Sequence, residues 1–194
     1  MAASNSKQNQ VRVVETLAGL NVQVDREQGI IRGVKVIGFE SKNGRFYTPE
    51  ALRNAVSKYE GAKVNVDHPP VADPTRPRGV ADRIGVLKNA RFQEGAGVFA
   101  DFHFNPKHAL AEQIAWDAEN QPAAIGFSHN AMVQQGRRQN GKQFIEAVVG
   151  VRSVDLVADP ATTNESNRSI SESSPQPGMT FCSQASRSRN VSSK

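Results

Sequence analysis

Through most of the middle of this chain apolar side chains return at every second position, and that period decides what the chain can fold into. VRVVE (residues 11–15) and GIIRGVKVIGFE (residues 29–40) alternate apolar with polar or small residues and are rich in β-branched side chains, as half-buried strands require. RIGVLKNARFQ (83–93) and GVFADFHF (97–104) repeat the pattern on either side of the turn QEGAG. AAIGFSHNAMV (123–133) and FIEAVVGVRSVDLVA (144–158) flank RRQNGKQ, where the Asn140-Gly141 pair marks a hairpin. KVNVD (63–67) is a short strand that runs into HPPVADPTRPRG. There Pro69, Pro70, Pro74 and Pro77 forbid both helix and ladder hydrogen bonds, and a loop of that length in a compact domain usually serves function.

Helical spacing occurs twice. Thr48, Pro49 and Glu50 supply a capping hydroxyl, a proline for the first turn and an acid for the positive end of the dipole, and Leu52, Val56 and Tyr59 follow on one face, predicting a helix over 49–59. Asn105 and Pro106 open a second helix through Ala109, Leu110, Ile114 and Trp116, ending near Asn120 to Pro122. Strands arranged in hairpins around two helices predict an α+β fold, a mostly antiparallel sheet or β-barrel with flanking helices, rather than a doubly wound sheet.

Of the 194 residues, 11–161 form the expected folded unit, with a loose N-terminus over 1–10. Residues 162–194 are Ser-rich, carry Pro175 and Pro177 and hold few apolar side chains, a composition that predicts a disordered tail. The single Cys182 falls in that tail and can form no internal disulfide. No apolar run of membrane-spanning length occurs and the first residues do not form a secretory signal, so cytoplasmic synthesis and no membrane association are expected. The net charge of +5 raises nucleic acid as a partner, but acids and bases alternate and no basic block appears, which disfavours it.

Polar side chains interrupt the apolar pattern at Asp67-His68, at Ser128-His129, and at Ser153 with Asp155. A hydroxyl, an imidazole to take its proton and a third group to orient the ring are the components of serine nucleophilic catalysis. Each has a plainer reading. Ser128 fits an ordinary strand serine; His68 fits a loop histidine beside Asp67 or Asp82; Asp155 fits a partner for Arg152 or Arg83. His129 points to the opposite strand face from Ser128 and is excluded as its base, while His103 and His108 suit solvent-facing roles. Ser153 and Asp155 share one strand face, and a half-buried carboxylate there needs a partner. Asp67, His68, Asp73 and Asp82 lack the spacing of a metal site, so neither a metal nor a cofactor is expected.

In their order and spacing GFESKNGRFYTPEAL, the VDHP histidine segment, RIGVL, IGFSHNA and SVDLVADPA resemble the prohead proteases of tailed bacteriophages, relatives of herpesvirus assemblin, over about residues 30–163. The resemblance implies an assemblin-like β-barrel, a catalytic Ser128 and a catalytic His68. Strict alignment places Ser153 at the orienting position; Asp155, two residues on and facing the same way, brings the negative charge that an imidazolium needs and is the expected orienting residue. Oxyanion donors would lie around Ala161 and Thr162. The resemblance further implies cleavage of scaffold and major capsid proteins, and of itself, inside the immature capsid in the host cytoplasm, and is compatible with a homodimer. The rival is a non-catalytic capsid scaffold or assembly protein on the same fold.

Overall fold

The structure, a computed structural model, describes residues 23–41, 43–70, 72–73 and 76–158 and the main chain of 10–18. The expected loose N-terminus, the Ser-rich tail and the Ala161–Thr162 oxyanion segment lie outside the described residues. In chain order the elements are β1 (Gln10–Ala18), β2 (Gln23–Asp25), β3 (Ile30–Ile37), β4 (Arg45–Tyr47), α1 (Pro49–Tyr59), β5 (Lys63–Val66), β6 (Arg83–Gln93), β7 (Gly97–Phe104), α2 (Ala111–Asn120), β8 (Ile125–Gln139) and β9 (Lys142–Ala158). Neither helix is long and apolar enough to cross a membrane.

The strands join one sheet in the order β1-β8-β9-β5-β6-β7-β3-β2, with β4 paired to the beginning of β9. Most neighbours are antiparallel, as the hairpin-rich sequence predicts; β4 and β5 lie parallel to β9. Asn140 (φ 51°) and Gly141 (φ 76°) form the β8–β9 turn, both in the left-handed region that a two-residue hairpin of this kind needs.

The expected barrel is corrected to an open sheet, since β1 and β2 end the strand order unpaired to each other. The sheet nevertheless curls. Phe102 on β7 and Phe127 on β8 have three strands between them in that order, yet their rings meet edge to face with centroids 5.4 Å apart. Curling alone buries the apolar faces, so closure by hydrogen bonds is not needed to build the core. Gly85 allows the neighbouring strands β6 and β7 to approach closely: a Cβ there would lie 2.2 Å from the carbonyl oxygen of His103.

Helix α1 matches its predicted bounds. Thr48 Oγ1 accepts the main-chain N–H of Ala51 at 3.1 Å and Pro49 occupies the first turn. Ala51, Leu52, Ala55 and Tyr59 are fully buried and the helix lies against β9, β6 and β7. Helix α2 starts five residues later than predicted, at Ala111. Asn105 Oδ1 accepts the N–H of Lys107 and His108 Nδ1 that of Leu110, so these side chains close local turns that compete with helix. Ala111, Ile114, Ala115 and Ala118 are its buried face, whereas Leu110 and Trp116, expected on the apolar face, are exposed.

Candidate active site

Strand β5 delivers the histidine. Asn65 pairs with Asp155 and Val66 with Leu156 in parallel register, and the N–H of Asp67 continues the ladder to the Leu156 carbonyl at 2.8 Å. Asp67 then turns the chain with φ 58°, a left-handed conformation that Asp tolerates better than most residues. His68 comes next, and its ring falls back on β9, Nδ1 standing 3.3 Å from Asp155 Oδ2. Because an ionised carboxylate can only accept, that contact calls for the proton on Nδ1 and leaves the Nε2 lone pair free.

Asp155 is 1% exposed, whereas the His68 side chain is 42% exposed. The other carboxylate oxygen, Oδ1, accepts from Asn65 Nδ2 at 3.3 Å and from Ser153 Oγ at 3.2 Å. A buried acid is thus held by three neighbours, as burial of a charge demands. Of the two candidates for the group beside the ring, it is Asp155 that meets His68, while Ser153 meets Asp155. The plainer readings, His68 partnered by Asp67 or Asp82 and Asp155 by Arg152 or Arg83, do not match these contacts; Asp82 pairs instead with Arg78.

Ser128 on β8 sits directly across from Asp155 on β9. Cross-strand partners share a face, with Cβ atoms about 4.5–5.5 Å apart. Its hydroxyl is fully buried and has no hydrogen-bond partner among the described residues. The fold therefore brings His68 and Asp155 into contact and places Ser128 beside the pair, but does not join the hydroxyl to the imidazole.

Two clefts flank the loop that carries His68. One, of about 290 Å³, reaches Asn65, Asn130 and Ser153 and is rimmed by Lys63, Arg78 and Arg152; the other, of about 620 Å³, opens on His68 itself, Asp67 and His108. Among the described residues no three His, Cys, Asp or Glu side chains gather as a metal ion would need.

His129 lies on the opposite face from Ser128, as alternation predicts, and has a role the sequence did not reveal. It is fully buried, with Nδ1 2.5 Å from the Tyr59 hydroxyl of α1 and Nε2 3.3 Å from the Tyr47 hydroxyl of β4. Burial, with a smaller contribution from the Arg45 charge, pushes its pKa down to about 3, so the ring is neutral. The clue in the sequence was its place between Phe127 and Ala131 on an apolar face. His103, expected to face solvent, has a buried Nε2 without a hydrogen-bond partner among the described residues, and burial, helped by Lys88, lowers its pKa.

No family model matches the sequence, and no curated protein matches it in sequence. In three-dimensional architecture the chain resembles a phage capsid assembly protease. The particular likeness is to the capsid assembly protease of bacteriophage T4, gp21, with a TM-score of 0.58 over 77% of this chain and 98% of that one, at 14% sequence identity. At that identity the likeness concerns the fold.

Proposed function

We propose that this chain is a serine endopeptidase of capsid maturation, with Ser128 as nucleophile, His68 as general base and Asp155 as the residue that orients the ring. The observation that carries the reading is the contact of His68 Nδ1 with a buried carboxylate directly across the strand pair from Ser128. A hydroxyl, an imidazole with its second nitrogen free and a desolvated acid are the three parts of the chemistry.

In the reaction, Ser128 Oγ attacks the scissile carbonyl and its proton passes to His68 Nε2. Asp155 stabilises the imidazolium that results, and the ring then delivers the proton to the leaving amine. Main-chain N–H groups beyond β9, around Ala161 and Thr162, would hold the oxyanion, each such donor typically contributing about 3–4 kcal/mol. The step needs the Ser128 hydroxyl and the His68 ring to come within hydrogen-bond reach, since the two are not bonded in the resting arrangement. Substrates on this reading are scaffold and capsid-protein segments and the chain itself, cleaved inside the immature capsid.

One observation favours the rival, a non-catalytic assembly protein: the Ser128 hydroxyl is completely buried and has no hydrogen-bond partner among the described residues. A fluorophosphonate separates the two readings, because only an activated serine is phosphonylated. The full chain is expected to label, and Ser128→Ala to lose the label together with processing of a co-expressed capsid or scaffold protein. Absence of label on the parent, or undiminished processing by Ser128→Ala, would favour the rival.

A further inference from the structure

We infer that Arg78 is a positioning residue for His68, a role that rests on reading His68 as the base. The proline-rich loop leaves the sheet after Val66 and returns through Arg76 to Gly79. On its return Arg78 reaches back, and its Nη2 donates to the main-chain carbonyl of Val66, the last residue of β5. Its Nε lies 3.3 Å from Asp82 Oδ2, an ion-pair contact without hydrogen-bond geometry, and the same oxygen accepts the N–H of Gly79 at 2.8 Å. Asp82 immediately precedes β6, the strand that pairs Arg83 with Asn65 of β5.

One guanidinium therefore ties the end of β5 to the start of β6 across the mouth of the loop. Its side chain is only 18% exposed, so the contact is built into the fold rather than draped over it. The carbonyl it holds belongs to the peptide that joins Val66 to Asp67, the residue with φ 58° whose turn aims His68 at Asp155. Prolines at 69, 70 and 77 bring no N–H that could take that carbonyl, so a side chain does. Arginine suits the task because its planar fork meets a carbonyl and a carboxylate at once; the single ammonium of lysine carries the same charge without that geometry.

The test uses the full-length protein and the variants Arg78→Ala, Arg78→Lys and Asp82→Asn. The imidazole ¹⁵N spectrum, assigned against His68→Gln, should show one tautomer for His68 in the parent, with the proton on Nδ1, and mixed tautomers in both Arg78 variants. The second-order rate of fluorophosphonate labelling should fall about 10- to 100-fold in Arg78→Ala and Arg78→Lys alike, as for other small misplacements of a reacting group. Asp82→Asn should move both readouts in the same direction but less. Should Arg78→Ala fail to fold, Arg78→Lys decides, since a purely electrostatic role would leave it at the parent's rate and tautomer. A single His68 tautomer retained in the folded Arg78 variants overturns the inference. A parent that never labels defeats the catalytic reading, and the tautomer measurement then still decides what Arg78 does.

Discussion

Acid should weaken this fold through His129 before its carboxylates are neutralised. In an unfolded chain that imidazole takes up a proton near pH 6.5, whereas between Tyr59 and Tyr47 it stays neutral down to about pH 3. The folded chain therefore binds fewer protons than the unfolded one across that interval. Its stability from this residue is complete above about pH 6.5 and declines as pH falls toward 3, by about 1.4 kcal/mol per pH unit once the unfolded ring is mostly charged. At pH 5 the loss is about 2 kcal/mol, equivalent to roughly 4–8 °C in melting temperature for a domain of this size. The assay is thermal unfolding of the parent and of His129→Gln between pH 7.5 and 5. Glutamine keeps a donor and an acceptor for the two tyrosines but cannot titrate. His103, whose pKa is also lowered, contributes to both curves and drops out of their difference. The parent should lose about one proton's worth of slope more than the variant, and parallel curves would refute the account of a neutral buried ring.

Three further outcomes follow from the site and its supports. Ser128→Ala removes a buried hydroxyl that has no hydrogen-bond partner among the described residues, so chemical denaturation should find the variant as stable as the parent or more stable by about 1 kcal/mol, even though it should lose fluorophosphonate labelling. Asp155→Asn should cut the labelling rate by roughly three to four orders of magnitude, because an amide can favour the wrong tautomer of His68 and brings no charge to the imidazolium; a rate within tenfold of the parent would remove Asp155 from the mechanism. Tyr59→Phe leaves His129 Nδ1 buried without this hydroxyl and should cost about 1–3 kcal/mol in urea unfolding, with little effect if the 2.5 Å contact carries no energy.

Local chemistry wrote much of the architecture where it could be read. The bounds of α1, β6 and β7 follow from a capping threonine, a proline and strand-like apolar patterning on either side of a glycine turn, although β6 carries a bulge between Lys88 and Arg91. Helix α2 was misjudged because Asn105 and His108 spend their side chains on nearby main chain, a competition that apolar spacing does not record. Closure of the sheet depends on whether two distant edges pair, and no local period encodes that. The same holds within the site. Ser153 and Asp155 could be placed on one face by counting along a strand, but that Asp155 would stand beside His68 depends on the parallel register of β5 against β9. Arg78 carries no sequence mark at all, being one of several cations around the proline-rich loop. His129 was legible in part, as a polar ring in an apolar row, although its two tyrosines come from elements far upstream.

The pairing of β5 with β9 also sets a schedule. Asn65 and Asp155 are separated by 90 positions, so this ladder closes one of the longest chain segments in the molecule and belongs among its high-contact-order, late-forming interactions. A nascent chain that has already delivered His68 and Ser128 from the ribosome still lacks the acid that steadies the ring. On the proposed reading, a polypeptide able to cut its own neighbours lacks its full catalytic apparatus at least until its last described strand has emerged.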